Sequence, residues 1–333
     1  MSEPFRVSTT VDFDADGKQF GALNVPYSSN ESAWGAVRIP IVVLKGGAGP
    51  TLLCTGGVHG DEYEGPIALG KLARSLEATA LNGRLILLPA LNLPAVLAGA
   101  RVSPIDQINL NRTFPGRWDG TVTEMIADYV TRRILPLCDA VLDLHSGGRT
   151  LQFLPFCGMH VLKEPAQMAR THAAMEAFGA PFSVVIDEFD RLGMIDTAVE
   201  QLGKIFLFTE LGGGGAVTAA TVAIAERGID NLLHHFGMIE GAPEPVATRL
   251  MHSPEASYFV VSEDRGIFEI VVDLGAAVSA GQPVARIHDV ESPARTPATC
   301  RAERSGVLIG RRWAGPTRPG DCLAVIATDS LDR

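Results

Sequence analysis

Over roughly the first 240 residues, short apolar runs alternate with longer stretches whose apolar positions recur at helical spacing. The runs AVRIPIVVLK (36–45), TLLCTGG (51–57), LILLPAL (85–91), AVLDLHSGG (140–148), SVVIDEF (183–189) and KIFLFTELGGGG (204–215) read as strands. Between them, PIALGKLARSLEAT, TVTEMIADYVTRRILPLC and KEPAQMARTHAAMEAFG read as helices. AVTAATVAIAERGIDNLLHHFG reads as one long helix or two in tandem. Strands alternating with helices imply βα units and a parallel or mixed sheet. Near-continuous apolar strands fit a sheet covered on both faces.

The pattern changes near residue 242. APEPVATRLMHSPEA is irregular, and no convincing helix follows it. Short strand candidates take over: SYFVVSE, GIFEIVVD, PVARIHD, GVLIGRR and DCLAVIA, punctuated by Gly266, Gly275, Gly281, Gly306, Gly315 and Gly320. That rhythm is typical of small β-barrels and sandwiches. The expected organisation is an α/β domain over residues 1–242 and an all-β domain over 243–333.

Composition narrows the class of partner. The 333 residues carry 28 basic and 38 acidic side chains, a formal charge of −10, which disfavours a broad phosphate-binding face and hence nucleic acid. The first residues lack the basic start and apolar core of a signal peptide. The most apolar stretch, Leu85 to Leu97, is interrupted by Pro89, Asn92 and Pro94 and is too short to span a bilayer. Five widely spaced cysteines, an odd number, argue against a disulfide scaffold and fit a cytoplasmic location.

Four polar clusters follow apolar strands or turns. In GGVHGDEYEG, His59 and Glu62 lie three apart directly after a strand, a spacing that can turn an imidazole and a carboxylate toward one metal. Alone, the pair reads equally as a capping histidine and a solvent-facing glutamate. In LDLHSGG, His145 ends another strand, and open α/β sheets place their sites beyond the carboxyl ends of strands. Two histidines and a glutamate form a known catalytic zinc set. Asp143 either orients an imidazole ring or is a structural hydrogen-bonding residue. In FLFTELGGGG, Glu210 is placed to move protons between water and a leaving group. In INLNRTFPG, Arg112 beside Asn111 offers a planar fork to a carboxylate, and Arg101 upstream can stabilise an oxyanion. For either arginine the plain alternative is a surface salt bridge. His160, His172, His234, His235, His252 and His288 have no comparable setting and read as ordinary surface, capping or packing residues.

Taken together, GGVHGDEYEG, NLNRTFPG, LDLHSGG and FTELGG resemble the succinylglutamate desuccinylase and aspartoacylase family, relatives of the zinc carboxypeptidases, over roughly residues 38 to 240. The resemblance implies a carboxypeptidase-like mixed sheet flanked by helices that hydrolyses the amide of an N-acyl amino acid. It implies one zinc per chain on His59, Glu62 and His145, Glu210 as general base and acid, and Asn111 with Arg112 on the substrate carboxylate. Arg101 is placed less firmly, because the loop before NLNR varies in length. The arginine that some members use for an acidic side chain has no match here.

PALNLPAVLAGARVSPID, EFDRLGMIDTAVEQLG and the β-rich tail look closer to the ectoine-degradation branch, which deacetylates N-alpha-acetyl-L-2,4-diaminobutyrate. A substrate with a free amine calls for an acidic pocket residue; Asp187, Glu188, Asp190 and Asp196 are candidates, each also readable as a loop or surface charge. The tail resembles a lipoyl or biotinyl carrier in its strand rhythm but has no lysine for attachment. It fits a lid, a stabilising element or a homo-oligomer contact better. The rival readings are a metallocarboxypeptidase acting on peptides and a non-catalytic binding protein of the same shape.

Overall fold

The computed structural model describes residues 4–187 and 192–329. A mixed sheet forms its spine, and hydrogen bonding runs through it without a break. From one side the strand order is Gly17–Pro26, Ala36–Gly46, Gly83–Leu88, Thr51–Gly56, Ala140–His145, Ile205–Glu210, Phe156–His160, Phe182–Ile186 and Arg249–Ser253. Thr51–Gly56, Ala140–His145 and Ile205–Glu210 are mutually parallel neighbours, while Phe156–His160 runs antiparallel to Ile205–Glu210.

Both faces of the sheet are covered, as the apolar runs imply. In Gly83–Leu88 the alternating pleat sends Ile86 and Leu88 into one core and Leu85 and Leu87 into the other. The first core also takes Val122, Met125 and Ile126 of helix Val122–Tyr129. The second is roofed by helices Glu64–Ser75, Pro165–Phe178 and Ala219–His235. Thr121 and Glu124 form a capping box that starts Val122–Tyr129. Thr218 and Thr221 start Ala219–His235, which is one helix and not two. The expected helix over 121–138 is shorter: after Tyr129 it loosens into a π-type turn at Val130–Ile134 and a 3-10 turn at Leu135–Leu137. Pro136 has no N–H to continue the α pattern.

The irregular stretch after residue 242 holds a strand, Arg249–Ser253, parallel to Phe182–Ile186. Through it the sheet continues into the β-rich tail. Cys322–Asp329 pairs with Arg249–Ser253, and Gly306–Arg312 pairs with both Cys322–Asp329 and Leu151–Phe153. A smaller sheet of Ala298–Arg301, Pro283–His288, Gly266–Ile270 and Pro316–Thr317 completes the tail. Among the described residues no helix is long and apolar enough to cross a membrane.

Candidate metal centre

Three parallel strands end side by side, and each delivers a polar residue to the same place. The ladder between Ala140–His145 and Ile205–Glu210 sets Glu210 directly opposite His145. On the other flank Gly56 pairs with Leu144, so the loop after Thr51–Gly56 starts beside His145 and carries His59 and Glu62. That loop presses against helix Leu93–Ala98. A Cβ on Gly60 would lie 2.0 Å from the carbonyl carbon and oxygen of Ala95, so only glycine fits.

His59, Glu62 and His145 are all buried, and one ligand atom from each lies within 4.8 Å of the others. Glu62 bridges the imidazoles, with Oε1 2.8 Å from His59 Nδ1 and Oε2 2.8 Å from His145 Nδ1. The far nitrogens are also held. His145 Nε2 lies 2.7 Å from Asp143 Oδ2, and His59 Nε2 lies 3.2 Å from Asn109 Oδ1. Asp143 is itself fixed by a 2.6 Å bond from the Thr55 hydroxyl.

This wiring fits a cation. Both far nitrogens face oxygen acceptors, so each neutral ring donates there and turns a lone pair at Nδ1 toward Glu62. Two lone pairs and a carboxylate then converge in a buried space, a donor set for a positive charge; with no metal, Asp143 and Glu62 favour a second proton on His145 instead. A divalent metal supplies that charge, and two nitrogens with one oxygen suit zinc.

The charges follow the same logic. Burial opposes ionisation of Glu62, but His59 and His145 beside it hold its carboxyl far below the usual range. Burial disfavours the charged form of His145, yet Asp143 and Glu62 raise it well above the ordinary imidazole value. His59 is held down, mainly by burial. Burial and then the neighbouring charge of Glu62 push Glu210 up to about 8. Its Oε2 is buried and accepts no hydrogen bond from a described residue.

The centre opens into a cavity of about 360 Å³. His59, Arg101, Asn111, Arg112, Asp143, His145 and Glu210 all line it, so one space gathers most of the residues singled out in the sequence. Arg101 Nη1 lies 3.4 Å from Glu62 Oε1. Asn111 Oδ1 accepts the Ile195 backbone N–H at 3.1 Å, and Arg112 Nη1 donates to the Asn111 carbonyl at 2.6 Å.

Of the acidic candidates, Asp196 lines the cavity and Asp187 is exposed, while Glu188 and Asp190 lie outside the described residues. Sequence reasoning passed over Asn109, although it sits in the same INLNR motif. It also set aside His160, which is buried on the cavity wall and paired with Glu200 at 2.9 Å. Phe259, Cys322 and Val325 bring the β-rich tail into the same wall.

Residues 48–236 match the catalytic domain of succinylglutamate desuccinylase and aspartoacylase. The chain belongs to that family. It is 52% identical to the N-alpha-acetyl-L-2,4-diaminobutyric acid deacetylase of Halomonas elongata, over 98% of this chain and 96% of that protein. The product-bound structure of the ectoine utilization protein EutE (DoeB) from Ruegeria pomeroyi is 48% identical, with a TM-score of 0.95, covering 98% of this chain and all of that one. A succinylglutamate desuccinylase/aspartoacylase from Rhodobacter sphaeroides, 42% identical, gives a TM-score of 0.94, covering 98% of this chain and 100% of that one. Metal triad and family membership together support N-acyl amino acid deacylase activity.

Proposed function

We propose that the chain is a zinc-dependent amidohydrolase that converts N-alpha-acetyl-L-2,4-diaminobutyrate to acetate and L-2,4-diaminobutyrate. The observation that carries the reading is the Glu210 carboxyl beside the His59–Glu62–His145 triad, its buried Oε2 without a hydrogen-bond partner among the described residues, in a cavity that Arg112 also lines. The likeness to the deacetylase of Halomonas elongata supplies the choice of substrate. The unpaired cysteines agree with a cytoplasmic enzyme.

His59, Glu62 and His145 would hold the zinc, which when bound would supply Lewis-acid charge to the attacking water and the acyl carbonyl. Glu210 takes the water proton at its free Oε2, and the oxygen adds to the acyl carbon. Arg101 stabilises the oxyanion that develops. Glu210 then passes the proton to the amide nitrogen, the C–N bond breaks, and the remaining carboxyl proton passes to the freed amine, so that acetate and an ammonium leave. Arg112, with Asn111 anchoring the adjacent backbone, holds the substrate carboxylate and sets the register of attack.

The test is a panel of N-acetyl, N-succinyl and N-formyl amino acids on zinc-loaded and chelated protein, with carboxylate release as the readout. The expected result is fastest turnover of N-alpha-acetyl-L-2,4-diaminobutyrate, abolished by chelation and restored by zinc. Arg112→Ala is expected to raise KM by about 10- to 100-fold, the loss of a charge-assisted carboxylate contact of roughly 1.5–3 kcal/mol. Cleavage of C-terminal peptides without turnover of any acylamino acid would replace this reading with a carboxypeptidase.

A further inference from the structure

One buried acid on the cavity wall is unused by the chemistry above. Asp196 is 5% exposed and sits in the short helix Ile195–Glu200. Its Oδ1 accepts the N–H and hydroxyl of the next residue, Thr197. Those bonds join neighbours in sequence and tie no two elements together. Oδ2 accepts no hydrogen bond from a described residue, and no described lysine or arginine pairs with this carboxylate. Burial raises this carboxyl above its usual range, and of the described charged groups the nearby His160 imidazole lowers it; a buried acid is costly to ionise unless a cation faces it.

The position along the cavity is also telling. Phe206, Phe208 and Glu210 alternate on one strand, so they share a face, and all three line the cavity. Phe208 therefore lies about 7 Å from Glu210 along the floor. His160 stacks over this floor, 5.2 Å from the Phe208 ring and 6.3 Å from that of Phe206. The ring of His160 is turned to Glu200. The backbone N–H of Ile195, one residue before Asp196, is the one anchored by Asn111. Asp196 thus sits beside the proposed carboxylate grip and beyond the reacting centre, where the side chain of a bound acylamino acid would extend.

We propose that Asp196 is the specificity residue of this cavity and receives a side-chain ammonium two carbons from the substrate Cα, with the His160–Glu200 pair bounding the same subsite. The proposal rests on reading the site as an acylamino-acid hydrolase. The aromatic floor supplies the apolar surface for the intervening methylenes. Asp196 supplies a contact that separates an ammonium from a methyl group of equal size.

The test compares N-acetyl-2,4-diaminobutyrate with N-acetylnorvaline, its neutral isostere, on the zinc-loaded protein. The wild type is expected to prefer the cationic substrate by about 30-fold or more in kcat/KM, the factor matching a buried charge contact of roughly 2 kcal/mol. In Asp196→Asn that ratio is expected to collapse at least tenfold, chiefly through KM. Calorimetry of free diaminobutyrate against norvaline on wild type and Asp196→Asn gives the same comparison without turnover. No preference in the wild type by either measurement overturns the proposal, even if the variant fails to fold. So does a preference that survives Asp196→Asn. If no acylamino acid is hydrolysed the enzymatic reading falls, and calorimetry still decides whether Asp196 selects an ammonium.

Discussion

Glu210 shows how position alone shifts a carboxyl. Its carboxyl is pushed up because burial and Glu62 both oppose its charge. The stability consequence has a definite sign in metal-free protein. The unfolded chain ionises this glutamate near its ordinary value of 4.5, while the folded chain keeps it protonated to about 8. Its contribution is therefore full below the unfolded value and is lost as pH rises through the folded one. Glu210→Gln is expected to raise the melting temperature of metal-free protein at pH 9 and to leave it nearly unchanged at pH 4. The same variant is expected to lose about 10²- to 10⁴-fold in kcat while retaining zinc, measured by metal analysis of the purified protein. The residues that orient the imidazoles lend themselves to a second measurement. Asp143→Asn and Asn109→Ala are each expected to weaken zinc about 10- to 100-fold in competition with a chelator. His59, Glu62, His145 and Glu210 were legible in the sequence because each follows an apolar strand within a short polar motif. Asn109 and His160 were not: an asparagine's partner and a histidine's burial depend on residues about 40 to 50 positions away.

At the scale of the element, the four longest helices and the strands near 36–46, 51–56, 83–88, 140–145, 182–186 and 205–210 follow from periodicity, because each buries a face that the sequence spells out locally, whereas Gly17–Pro26, Phe156–His160 and the short helices Leu93–Ala98 and Ile195–Glu200 do not. Two mid-helix glycines look alike in sequence and differ in space. A Cβ on Gly228 would meet the Phe178 ring at 2.2 Å, whereas one on Gly70 would meet nothing nearer than the Arg74 guanidinium at 3.6 Å. Gly228→Ala is expected to destabilise by about 1–3 kcal/mol through overpacking. Gly70→Ala is expected to stabilise by about 0.5–1 kcal/mol by lowering the entropy lost on folding. Denaturant unfolding of the two variants reads both signs. Arg249–Ser253 escaped the reading because Leu250 and Met251 are too few to show a period. That strand exists by virtue of partners at 182–186 and 328–329, which no local pattern reveals.

For the whole molecule, the βα order implied a covered mixed sheet, and the change of rhythm near residue 242 implied a β-rich tail. What no run of residues could show is that the two are one hydrogen-bonded sheet with a shared cavity wall. The tail also braces the segments after His145 and Glu210: Arg311 donates to Gln152 at 3.0 and 2.7 Å, and a Cβ on Gly214 would lie 2.9 Å from the Trp313 ring. A chain ended at residue 242 would leave Phe182–Ile186 as an open edge, with Phe153 and Phe156 uncovered. It is expected to be recovered insoluble or inactive, while the full chain melts in one transition by calorimetry. Cys322–Asp329 has a further consequence during synthesis. The metal ligands leave the ribosome early, but this strand, which adds Val325 to the cavity wall, is made more than a hundred residues after Glu210. Folding from the N-terminus therefore exposes a half-walled site on the nascent chain. A fully walled cavity thus exists only once the last strand has been made and has paired.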